Sequence, residues 1–141
     1  MANLITLKNN LKITPYHPVM THGCWMYPVS ISQFPNMVKC DAVYTILLDS
    51  GHTFNLNGHW VIGIGHNYKL GILAHDYFGS NLIIQDLQKL DGWESGFITI
   101  DPSYFVRDCI RENGNITGIQ KPFIKSSSVL PSMSYSVLTN I

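Results

Sequence analysis

Apolar residues recur at two periods along this chain, and the period of two covers more of it than the period near 3.6. The stretch "AVYTILL" at 42–48 is β-branched, aromatic and apolar, and Ser50-Gly51 breaks it. "HTFNL" at 52–56 alternates, Asn57-Gly58 supplies the positive-φ residues of a tight hairpin, and "HWVIGI" follows at 59–64. Together these segments predict a β-meander over 42–64. Upstream, Pro15, Pro18, Pro28 and Pro35 stand among aromatics, which favours extended segments and turns over helix. A helical period holds over 80–91, where Ser80 can cap, Ile83, Leu87 and Leu90 share a face, and Asp91-Gly92 ends the run. Beyond it, "GFITI" and "YFVRDCI" read as strands and Asn113-Gly114 as another hairpin turn. Residues 126–141 are serine-rich and read as an extended or mobile tail behind a domain spanning 1–125. The predicted class is mainly β, built of meander and hairpins, with one short helix.

Composition narrows the picture. A chain of 141 residues suggests one domain with a sizeable core. Charged residues are only 13% of it, well below the usual quarter, and nine basic residues balance nine acidic ones. No basic cluster interleaves with aromatics, and no apolar run could span a bilayer, so neither nucleic acid nor a membrane is an expected partner. The start lacks a signal-peptide stretch, and Cys24, Cys40 and Cys109 are few, odd in number and widely spaced. Thiols in the cytoplasm are the expectation, rather than a disulfide framework. Without paired Cys-x-x-Cys or His-x-x-x-His spacing, no metal or other cofactor is expected. Six histidines in so weakly charged a chain say more, because histidine moves its proton near neutral pH.

Three stretches carry candidate chemistry. "ITPYHPV" holds Thr14 and His17 three apart between stiffening prolines. His52 opens a strand just after a turn, and His66-Asn67 ends an apolar run. Each alone reads as an ordinary turn with a polar residue. In this order they resemble the hedgehog/intein (Hint) family, in which a Thr-x-x-His element precedes a Val-Tyr-Asp strand, His-x-Phe, Asn-Gly, and an apolar strand ending in His-Asn. Here these stand as Thr14 and His17, Val43-Tyr44-Thr45, His52-Thr53-Phe54, Asn57-Gly58 and His66-Asn67. The Vint subgroup is closer still, on "TPYHPV", the Trp25 to Pro28 stretch, "CDAVYTILLDSGH", "IGHN", "AHDYFGS", "QDLQKLDGWESG" and "VRD…NGNITG", a span of residues 11–119.

The resemblance implies a Hint-like β fold and self-processing of the chain. His17 would act as the acid/base group on an amide, Thr14 would orient it, and His52 and His66 would assist cyclisation of Asn67. It also implies departures. A Hint domain has several strands and a cysteine or serine nucleophile ahead of its Thr-x-x-His loop, whereas thirteen residues without either precede Thr14. An amino-terminally truncated, splicing-incompetent domain or remnant is therefore expected. Thr45 stands where splicing domains place an aspartate, and Tyr68 stands where splicing needs a Cys, Ser or Thr acceptor.

Substitute nucleophiles give a second reading, a cysteine-dependent hydrolase acting on another protein or peptide, with Cys40 or Cys24 as the thiol and His17 as base. Against it stands the plainer view that both are small buried apolar groups. His59 is expected to face solvent, Cys109 to pack in a core or edge, and His75-Asp76 to be structural polar packing rather than a dyad. A third reading is a non-catalytic interaction module, using a strand edge or the aromatic surface of Trp25, Tyr27 and Phe34. Oligomeric state is left open.

Overall fold

The structure is a computed structural model that describes residues 2–32, 36–108, 115–120 and 134–139. Buried aliphatic residues build its first sheet. Leu4, Ile5 and Leu7 of β1 (Ala2–Leu7) are buried, as are Leu11 and Ile13 of β2 (Leu11–Ile13). The two strands pair antiparallel with Ile5 opposite Ile13, and β5 (Asn36–Val38) pairs with β1 through Ala2 and Val38. The order is β2-β1-β5.

A second sheet grows from two tight hairpins. His22-Gly23, with φ of 50° and 78°, joins β3 (Val19–Thr21) to β4 (Cys24–Met26). Asn57-Gly58, with φ of 49° and 85°, joins β7 (Thr53–Leu56) to β8 (His59–Ile62), the hairpin that the sequence pattern predicts. Val19 and Val61 face each other across β3 and β8, and pack with Ile5, Leu7, Leu11 and Ile13 into one core. The sheets are also fastened at their turns. Asn9 Nδ2 donates to the Asn57 carbonyl at 3.0 Å and Asn57 Nδ2 to the Asn9 carbonyl at 3.2 Å. The half-buried His59 lies at the surface, and its Nε2 donates to the Lys8 carbonyl at 2.7 Å, because a carbonyl can only accept.

The meander prediction fails at its first segment. β6 (Ala42–Ile46) pairs not with β7 but in parallel with β12 (Ser134–Leu138), which takes β9 (Phe97–Ile100) antiparallel on its other side. The chain crosses from one sheet to the other between 46 and 53, and Ile64 reaches back with one bond to the Ile46 carbonyl, 3.1 Å. Part of the serine-rich run is thus extended, as expected, but central to a sheet rather than appended. Ser136 and Val137 are both buried, so the strand is covered on both faces and need not alternate. Val137, Ile98 and Ile100 form the second core with Ile64, Tyr77, Ile83 and Leu87.

That core is closed by α2 (Asn81–Gln88), where the helical period places it. Ser80 Oγ accepts the Leu82 N–H at 3.2 Å, and Ile83 and Leu87 are its buried face. A second helix, α1 (Pro28–Ile31), is a single turn among the prolines, with Pro28 at the first position, where the missing N–H is not needed. β10 (Phe105–Arg107) and β11 (Ile116–Ile119) pair antiparallel, while Cys109, Phe34 and the Asn113-Gly114 turn lie outside the described residues. The buried Tyr77 hydroxyl donates to Asp86 Oδ2 at 2.8 Å, and the Ile119 N–H donates to the same oxygen at 3.2 Å. Burial first, and the Asp86 carboxylate next, push the Tyr77 phenol well above its ordinary pKa, so it stays a donor. Among the described residues no helix is long and apolar enough to cross a membrane.

Candidate functional site

The Thr14–His17 element is a turn closed by the His17 N–H on the Thr14 carbonyl, 3.3 Å, and held from outside by the Val29 N–H on the Pro15 carbonyl, 3.1 Å. It directs the His17 ring at the end of β8, where Nε2 donates to the Ile62 carbonyl at 2.7 Å. The proton is therefore on Nε2, and Nδ1 keeps its lone pair. Burial lowers the pKa of His17, with the Ile62 bond opposing it, so the ring is neutral at pH 7.

Past β8 the chain is stitched on both sides. The Gly63 N–H meets the His52 carbonyl at 2.7 Å, the Gly65 N–H meets that of Phe78 at 2.7 Å, and the Asn67 N–H meets that of Gly79 at 2.6 Å. This fixes His66, a residue only 6% exposed. Its Nδ1 accepts the Tyr68 N–H at 3.0 Å, and its ring N–H bonds to the Leu73 carbonyl. Gly79 makes room, since a Cβ there would lie 2.9 Å from His66 Cε1. The Tyr68 ring stacks on His66 with centroids 5.3 Å apart and meets His52 edge-on at 5.8 Å. Burial lowers the pKa of His66 most, the His52 charge next, and His17 and His75 add to it, against the Leu73 bond. The imidazoles of His17, His52 and His75 thus lie within electrostatic reach of His66.

Asn67 is exposed and left-handed, φ 63°, a conformation asparagine accepts better than most residues. Its Nδ2 donates to Asn81 Oδ1 at 3.2 Å, at the first residue of α2. His75 is structural packing. Its Nδ1 accepts the N–H groups of Tyr77 and Phe78 at 3.2 and 3.0 Å, and burial lowers its pKa against the pull of Asp76.

On the other side of β8, Thr14, His17, Cys40 and Thr45 line one cleft of about 530 Å³. Cys40 is half-buried on its wall. Cys24 does not line it, and is exposed beside the His22-Gly23 turn rather than buried as an apolar group. Trp25 and Tyr27 are half-buried, and the Tyr27 hydroxyl donates to the Ile72 carbonyl at 3.3 Å. No group of three or more His, Cys, Asp or Glu side chains is set to hold a metal among the described residues.

The site thus has two sides joined through the end of β8. Thr14, His17 and Cys40 stand on the cleft side, and His52, His66 and Asn67 around the 66–68 loop. Sequence patterns missed Gly79, the Leu73 carbonyl and Asn81, which seat His66 and Asn67. The sole hint was a glycine in "AHDYFGS", and nothing local ties it to His66.

No curated protein matches the chain. The sequence model of the Vint family, described as a Hint-domain, matches residues 1–118, a span that holds both sides of this site. The chain therefore belongs to the Vint family of Hint domains, an intein-like, autoprocessing class.

Proposed function

We propose that this Hint domain retains one step of self-processing, cleavage of its own Asn67–Tyr68 bond, held back at neutral pH and uncoupled from splicing. The observation that carries this is the bond from the Tyr68 N–H to His66 Nδ1, 3.0 Å, because that nitrogen is the leaving group of the scissile peptide. In the step, Asn67 Nδ2 forms a bond to the Asn67 carbonyl carbon and loses a proton. The C–N bond to Tyr68 breaks, and its nitrogen gains a proton, leaving a succinimide and a free amine. A neutral His66 accepts from this nitrogen and cannot donate to it. Its lowered pKa makes the donating, protonated form scarce at pH 7 and commoner as the pH falls. His52, edge-on to Tyr68, stands beside the departing residue.

Splicing needs more than this. Tyr68 offers no aliphatic hydroxyl or thiol to accept an acyl group, and Thr45 cannot act as the aspartate would. The domain is thus a degenerate relative with a latent carboxyl-side cleavage. An exposed Cys24 suits a reducing compartment such as the cytoplasm.

Intact mass after incubation at pH 7 and pH 5 tests this reading. The expected result is one species near 15.9 kDa at pH 7 and slow division after Asn67 at pH 5, lost in Asn67→Gly. An undivided chain at both values contradicts it. The second reading, a thiol hydrolase acting on another peptide, is favoured by one observation, the cleft shared by Cys40 and His17. It requires Cys40 to react with iodoacetamide faster than free cysteine, and His17→Ala to remove the excess.

A further inference from the structure

The same cleft is bounded by two strand edges. Among the described residues β2 is the outer strand of β2-β1-β5 and β6 the outer strand of β6-β12-β9. All five residues of β6 line the cleft, and so do the consecutive residues 11–14 on the facing wall. A wall built from one face of a strand would contribute every second residue, whereas an unbroken run fits a groove along the backbone edge. The alternation of β6 can be assigned. The Leu47 N–H bonds to the Leu138 carbonyl, so 47, 45 and 43 turn their peptide groups towards β12. Ile46, Tyr44 and Ala42 then turn theirs outward, and the Ile46 carbonyl does take the Ile64 N–H from that side, 3.1 Å. The peptide groups of Tyr44 and Ala42 therefore face the groove.

Charge narrows what suits it. Apart from Thr14, His17, Cys40, Tyr44 and Thr45, the described lining is apolar with two lysines, Lys12 and Lys39, and holds no carboxylate. We infer that this groove binds an extended peptide of another polypeptide by strand addition, with alternating apolar side chains and one carboxylate that meets Lys12 and Lys39. Among the described residues no backbone hydrogen bond reaches the peptide groups of Ala42 and Tyr44 from the groove side, and a peptide supplies such bonds where an aliphatic acid does not. Bound there, a peptide runs past His17 and Cys40, but the docking does not depend on any cleavage.

The test is fluorescence anisotropy with a labelled, end-blocked pentapeptide alternating valine and threonine around one central glutamate. Three probes are compared with it, the same peptide N-methylated at alternate amides, its lysine-for-glutamate version, and decanoate as competitor. The expected result is saturable binding, weakened at least tenfold by N-methylation and by Tyr44→Pro, which removes an outward N–H from an edge strand where proline is tolerated. The pair Lys12→Glu and Lys39→Glu should reverse the preference between the glutamate and lysine peptides. Thermal melts of each variant verify that the fold persists. Equal affinity for the N-methylated peptide, or displacement by decanoate at lower concentration than by unlabelled peptide, overturns the inference. An uncleaved chain at pH 5 would refute the processing step and leave this result untouched.

Discussion

His66 stays neutral because several groups penalise its charge at once. Burial removes water, the His52, His17 and His75 rings each disfavour a second cation, and only the Leu73 carbonyl favours one. The ring is seated by the lack of a side chain at Gly79. Gly79→Ala would place a Cβ 2.9 Å from His66 Cε1 and 2.8 Å from the His75 carbonyl oxygen, so ring or backbone must move. The expected cost is about 1–3 kcal/mol in urea unfolding, with a raised His66 pKa as the ring shifts towards solvent. Asn67 separates conformation from chemistry. Asn67→Gly keeps the left-handed backbone, should remain as stable as the parent and cannot cyclise. Asn67→Ala removes the same amide but should lose about 1 kcal/mol. Equal stability of the two variants would show that φ at 67 is not under strain.

Elements with local causes were legible, and those with distant partners were not. α2 follows from Ser80, Ile83 and Leu87 within one short window, and the β7–β8 hairpin from Asn57-Gly58. The seat of β12 follows from Ala42 opposite Ser134, a pairing across most of the chain that a serine-rich segment does not advertise. Covered on both faces, that strand gives no polar alternation to read. Leu87, with 0% exposure, carries the helix against β9 and β12. Leu87→Ala should cost about 2–5 kcal/mol, and Ser80→Ala about 1, both read as lowered urea midpoints with an unchanged m-value. A larger loss for the cap than for the core leucine would contradict this arrangement.

Across the whole molecule the lowered histidines make stability depend on acid. His17, His66 and His75 all bind their proton less readily folded than at the ordinary 6.5 of an unfolded chain. The stability they contribute is complete above that value. It is lost as the pH falls below it, because the unfolded chain then binds more protons than the folded one. The melting temperature should drop on the order of 5 °C between pH 7.5 and 5, and less in His75→Gln. A flat profile would mean that the rings are solvated. The order of motifs named His17, His52, His66 and Asn67 as a set, yet the seat of His66 lay in the Leu73 carbonyl and the bare backbone of Gly79, which carry no side-chain signature. The central claim, a neutral His66 holding the Tyr68 N–H, is most directly tested by imidazole nitrogen NMR across a pH titration. The account predicts a bare Nδ1 coupled through the hydrogen bond to the Tyr68 amide, a protonated Nε2, and a midpoint below 6.5. A protonated Nδ1 at pH 7, or a midpoint at or above 6.5, would contradict it.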